Sequence, residues 1–222
     1  MQKLHNPTIA IIDSGIGGVS ILKALIKKYN AGNYIYFSDN LYMPYGNKSF
    51  EFLKKRLNDI ITMLRQEYKA DIVIVACNTA SCVLKDNKDP YIVKMKFDSN
   101  GTYLATPATK KLLNTKNVIA DNTLAKRIEK HLFNTKKMKK DIQAMINKDN
   151  LSKLKKLVLG CTHYELVENI FKELCPNTNI ICNSYYLLDS LDLDIDCSLS
   201  IFTIQSKQSK SYRDKVIKLI DN

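Results

Sequence analysis

The stretch TIAIIDSGIGGVSILKALIKKY, residues 8–29, decides the fold. TIAIID (8–13) is a short, β-branched apolar run and reads as a buried strand. GGVSILKALIKKY (17–29) puts Val19, Leu22, Leu25 and Ile26 on one face of a helix. The alternation continues outward. YIYFSD (34–39) is a second strand. Ser49 caps a long helix with Phe50, Leu53, Leu57, Ile60, Ile61 and Leu64 at helical spacing. DIVIVAC (71–77) is a third strand. Strands alternating with helices imply right-handed βαβ units, parallel sheets and an α/β fold.

The second half repeats this scheme. GTYLAT (101–106) reads as a strand, and 107–113 opens a helix. Residues 122–133 and 138–150 read as lysine-rich helices. KLVLGC (156–161) is a buried strand and HYELVENIFKELC (163–175) a helix. NIIC (179–182) and LSIFTI (199–204) are strands, and SKSYRDKVIKLI (209–220) is a helix. The polar stretch 85–100, which carries Pro90, is the expected junction between two lobes.

The 222 residues suffice for one compact unit or two small lobes. With 45% hydrophobic and 25% charged residues the chain is not largely disordered. No apolar run approaches the roughly 18 residues that span a bilayer, so no membrane association is expected. The opening MQKLHNPTIAIID lacks a basic segment followed by a long apolar one, so no signal peptide is expected. A cytosolic location follows, and there the six cysteines would be thiols.

The net charge is +12, and residues 107–156 hold 14 Lys/Arg against 4 Asp/Glu. Such a stretch could contact nucleic acid. A solvated helical surface explains it more simply. Of the 14, 13 are Lys, and Phe133 is the one aromatic among them available for base stacking.

Ligands of open α/β sheets collect beyond the carboxyl ends of the strands. The residues found there are Asp13-Ser14-Gly15-Ile16-Gly17-Gly18, Ser38-Asp39-Asn40, Cys77-Asn78-Thr79-Ala80-Ser81 and Gly160-Cys161-Thr162-His163-Tyr164. A dinucleotide site fits the first poorly. The G-x-G-x-x-G fingerprint needs a glycine where this chain has Ser20, and Asp13 would repel a pyrophosphate, although Asp39 mimics the ribose-binding acid. The glycines equally permit a tight strand-to-helix turn.

Cys77 and Cys161 each end a buried strand just before a helix, and each is followed by a threonine that could cap that helix or hold a ligand. A helix N-terminus lowers a thiol pKa from its free value of about 8.5, so both could be thiolates. Cys82, Cys175, Cys182 and Cys197 read as small buried hydrophobes. No metal site is expected, because Cys161 and His163 are the only close Cys/His pair. Three chemistries suit two such thiols: disulfide exchange, acyl transfer with His163 as base, and proton abstraction at a carbon held between them. Inversion of a stereocentre needs a base on one face and an acid on the other, which suits two matching half-sites.

The motifs DSGIGG, PYGNKS, CNTAS and LGCTHY, in this order, closely resemble cofactor-independent glutamate racemases of the Asp/Glu racemase superfamily. The resemblance covers most of the chain and is clearest over 8–82, 156–182 and 200–220. It implies two pseudo-symmetric lobes, each a parallel sheet flanked by helices, with the active site in the cleft between them. Residues 1–96 with 183–222 would form the first lobe and 97–182 a shortened second. It implies interconversion of L- and D-glutamate for peptidoglycan synthesis, no cofactor, and a possible homodimer. Cys77 and Cys161 would be the acid/bases, assisted by Asp13 and His163 respectively. Ser14, Tyr45, Gly46, Asn78, Thr79 and Thr162 would hold the substrate, together with Asp13 and His163.

The chain departs from the family in four ways. It is a few tens of residues short, and the loss falls in the middle. The strand and Pro-Gly turn usual after CNTAS are replaced by DPYIVKMKFDSNGTYLAT. The glutamate that supports the histidine has no match within 133–155. The family's aspartate-containing turn reads Cys182-Asn183-Ser184. Thr106 and Thr109 stand in for the second-lobe threonines. Two other functions remain open: a racemase for aspartate or another amino acid, and a catalytically degenerate basic binding protein.

Overall fold

Strand β1 (Thr8–Asp13) takes the centre of a sheet because it is apolar on both faces, and every residue from Ile9 to Asp13 is buried. Around it lie β4 (Ile92–Lys94), β3 (Ile72–Val75), β2 (Asn33–Ser38) and β9 (Ser200–Gln205), in the order β4-β3-β1-β2-β9 and all parallel. A second parallel sheet has the order β6 (Val118–Ala120), β5 (Thr102–Ala105), β7 (Lys156–Gly160), β8 (Asn179–Cys182). This computed structural model describes residues 6–97, 100–113, 117–189, 191–193, 195 and 197–221. Residues 98 and 99 of the expected junction lie outside the described residues. So do residues 1–5, the first part of the opening segment.

Helices cover both faces of the first sheet. Leu53, Leu57, Ile60 and Leu64 of α2 (Phe50–Gln66) pack on Ala10, Ile12, Val73 and Val75. Val19, Leu22 and Leu25 of α1 (Val19–Tyr29) pack on Ile9, Ile11 and Ile74. The cap of α2 is Ser49, whose hydroxyl accepts from the Phe52 N–H at 3.2 Å. On the second sheet, Leu104, Leu157 and Leu159 meet Ile128 of α5 (Leu124–His131) and Met138, Ile142 and Ile146 of α6 (Thr135–Asp149). Lys136, Lys137, Lys140 and Lys148 on the opposite face of α6 are exposed, as a solvated face requires. No helix among the described residues is long and apolar enough to cross a membrane.

Where the structure differs from the periodicity, short elements are the reason. β4 and β6 have three residues each and edge positions, too little for a pattern to register. The helix expected over 163–175 is two: α7 (Thr162–Glu165), a single tight turn, and α8 (Glu168–Leu174). The second lysine-rich helix starts before 138, because Asn134 caps it by accepting from the Lys137 N–H at 3.1 Å. The remaining helices are α3 (Asn78–Val83), α4 (Pro107–Leu113), α9 (Ser184–Asp189) and α10 (Lys210–Asp221).

The two sheets meet strand end to strand end, with no room between the turns. A Cβ on Gly17 would overlap Thr162 Oγ1 and lie 2.7 Å from the His163 nitrogen. One on Gly15 would lie 2.7 Å from His163 Nε2, and one on Gly46 would lie 2.7 Å from Thr106 Cβ. These glycines are needed for clearance rather than turn conformation, since positive φ among the glycines is confined to Gly32 and Gly101. Gly17→Ala should therefore push backbone away from backbone. The expected loss is about 1–3 kcal/mol, read as a lower thermal midpoint, whereas an unchanged midpoint would show that the turns are not in fixed contact.

Candidate active site

Asp13 ends β1 and is fully buried. Its Oδ1 accepts the Gly15 N–H at 2.8 Å, and its Oδ2 accepts the Thr162 hydroxyl, from the other sheet, at 2.9 Å. Burial raises its pKa, and nearby Glu129 adds to the rise. His163 and the two hydrogen bonds oppose it. Ser14 is buried, and Cys77 Sγ points to its Oγ at 3.9 Å.

Cys77 precedes α3 and Cys161 precedes α7, each at the cap position without a side-chain capping hydrogen bond. Both are buried, at 7% and 8% exposed. Burial pushes the Cys77 thiol well up, and Asp13 and Cys161 push it further. For Cys77 this corrects the expectation of a thiolate, because burial and a neighbouring acid outweigh one short helix turn. All six cysteines are free, and Cys197 is half-buried rather than buried as expected.

His163 is buried, and its Nε2 lies 2.7 Å from Glu129 Oε2. Burial disfavours the charged ring, but hydrogen bonds with Cys161 and Glu129 outweigh it and raise the pKa well above the usual value. The charged form of the ring is thus favoured by its two neighbours against the cost of burial.

The threonines after the cysteines do not cap helices. Thr162 reaches Asp13, and Thr79 meets Thr106 at 3.0 Å and Thr109 at 2.9 Å. Each crosses to the opposite sheet. Asn78 is buried, and its Oδ1 accepts from Asn183 Nδ2 at 2.6 Å. Tyr45 donates its hydroxyl to Asp39 Oδ2 at 2.7 Å, so that group is engaged within the protein. Asp39 also takes both arms of Arg56, at 2.7 and 3.0 Å, which rules it out as a ribose ligand. Gly46 backs onto Thr106. Among the described residues no group of three His, Cys, Asp or Glu could hold a metal.

No family model matches the chain. It is 34% identical over 196 residues to a curated glutamate racemase of Aliarcobacter butzleri, covering 75% of this chain and 75% of that one. The chain belongs to the glutamate racemase family. Its fold matches a solved Bacillus anthracis glutamate racemase at a TM-score of 0.79, with 20% identity, over 97% of this chain and 94% of the other. It also matches the Francisella tularensis glutamate racemase solved in complex with D-glutamate, at a TM-score of 0.75 and 21% identity, over 98% and 94%.

The acid that contacts His163 in this racemase-family chain is Glu129, just before 133–155. Its signal was available: Glu129 falls on the buried face of α5 with Leu124, Ala125 and Ile128, an odd place for an acid. The Gly15 carbonyl accepts from Tyr36 Oη at 2.7 Å and Ser38 Oγ at 2.9 Å, and Tyr212 of α10 lies 2.7 Å from Ser38. No pattern pointed to this support. Glu165 is a further buried acid, and its Oε1 accepts the Ser184 N–H at 3.0 Å. Burial pushes its pKa up to about 8, against the Ser184 hydrogen bonds.

A folded-state pKa above the unfolded value of about 4.3 means that the folded chain holds this proton more tightly. The stabilisation is complete below about pH 4.3 and is lost as pH rises toward 8. Glu165→Gln keeps the acceptor and cannot ionise. Its thermal midpoint should exceed that of the wild type at pH 9 and match it near pH 4. Parallel midpoints across that range would refute the assignment.

Proposed function

We propose that this chain interconverts L- and D-glutamate without a cofactor, with Cys77 and Cys161 as the two acid/bases on opposite faces of the α-carbon. The reading is carried by the pairing of half-sites. Two cysteines follow strands of two sheets whose turns are in contact, and each has its own ionisable neighbour, Asp13 for Cys77 and His163 for Cys161. Family membership and the D-glutamate complex of the Francisella relative support glutamate as substrate.

In the first step one thiolate removes the α-hydrogen as a proton and leaves a carbanion. The thiol opposite then delivers its proton to the other face. No atom is gained or lost, and the roles exchange in the reverse direction. Asp13 and His163 accept or return the proton at their cysteines. Ser14, Asn78, Thr79 and Thr162 would hold the carboxylates and ammonium, with Gly46 contributing backbone and Tyr45 bracing Asp39. The lobes, 1–96 with 183–222 and 97–182, would close over the amino acid and exclude water. The product would serve peptidoglycan synthesis in the cytoplasm, a compartment that keeps six free thiols reduced.

Incubation with L-glutamate in D2O tests this. The wild type should exchange its Cα–H for deuterium and lose optical activity. Cys77→Ser and Cys161→Ser should each slow racemisation by about 10²–10⁴-fold, the usual contribution of one acid/base group. Undiminished racemisation in either variant would eliminate the two-base mechanism. Faster turnover of aspartate than glutamate would reassign the substrate.

A further inference from the structure

Asn183 directly follows β8 of the four-stranded sheet, yet its amide reaches Asn78, the first residue of α3 and the neighbour of Cys77. Asn183 Nδ2 donates to Asn78 Oδ1 at 2.6 Å, and the two residues are 0% and 2% exposed. The next residue is tied in the other direction. The Ser184 N–H donates to Glu165, which closes α7, the helix that follows Cys161. One turn, Asn183-Ser184, therefore joins the helix behind Cys77 to the helix behind Cys161.

The amide pair is only half satisfied. Asn78 Nδ2 and Asn183 Oδ1 are buried without a partner. Whichever way the two amides are turned, one hydrogen bond between them leaves one donor and one acceptor over. A buried amide edge is costly to leave unmade. An α-amino acid carries the complement of either group, a carboxylate and an ammonium.

We propose that Asn183 is a positioning residue of the substrate site, fixing the Asn78 amide beside Cys77 so that its free edge meets the amino acid's carboxylate or ammonium. This rests on the racemase reading and adds a residue that the four motifs do not contain.

The test is steady-state kinetics with L- and D-glutamate, glutamate titration calorimetry and thermal midpoints, on the wild type, Asn183→Ala, Asn183→Ser and Asn183→Asp. Alanine and serine cannot span to Asn78. Each should raise KM at least tenfold and change kcat less than about threefold, since about 1.4 kcal/mol is a factor of ten. Should the alanine variant not fold, the serine variant carries the same reading. Aspartate has the same length but, as a carboxylate, cannot donate to Asn78 Oδ1, so it should raise KM as alanine does. A variant with a lower thermal midpoint but unchanged KM would reduce Asn183 to packing and overturn the proposal. An aspartate variant with the wild-type KM would do the same. A wild type that neither racemises nor binds glutamate would overturn the underlying function, and this inference with it.

Discussion

Direct contact between the turn after β1 and the turn after β7 is the constraint on which the rest depends. Gly15 and Gly17 leave no space that a side chain could occupy against Thr162 and His163. That closeness lets Thr162 Oγ1 reach Asp13 at 2.9 Å and sets His163 beside Gly15. The first sheet holds its turn from behind, through Tyr36 and Ser38 on the Gly15 carbonyl. The second holds His163 through Glu129. A rigid mount on each side is what positions reacting groups within fractions of an ångström.

Charge is handled locally. Asp13, Glu129, Glu165 and His163 are all buried, a combination that burial alone would make costly. His163 lies between Glu129 and Cys161, and their hydrogen bonds raise its pKa despite desolvation. Lys215 of α10 adds a donor to the Glu129 main-chain carbonyl. The chain's large positive charge has little part in this. Its exposed lysines on α6 lie on the face opposite Met138, Ile142 and Ile146, away from the core.

What could be read from the sequence follows from what each feature needs. Buried parallel strands announce themselves, because TIAIID and KLVLG must be apolar on both faces. The residues after those strands were legible for the same reason, since the fold leaves polar groups there only at a site. Contacts between distant turns were not. Glu129 lies just before 133–155, where no spacing rule ties it to His163. Thr79 and Thr162 sit where either a cap or a ligand contact is open to them, and their contacts across to the opposite sheet have no local signature. For the glycines of the turn after β1, one sequence cannot separate a need for positive φ from a need for clearance.

The half-sites are alike in position and unlike in charge. Each is a cysteine at a strand end, followed at one or two residues by a threonine that crosses between the sheets. One cysteine lies near a buried carboxyl, the other beside a buried imidazole. A buried carboxyl and an imidazole do opposite things to a neighbouring thiol, because like charge disfavours the thiolate and a hydrogen-bond donor favours it. Burial and Asp13 push the Cys77 thiol up. The matched positions and unmatched neighbours are thus two separate properties of the site, one set by the strand ends and the other by the groups packed beside them.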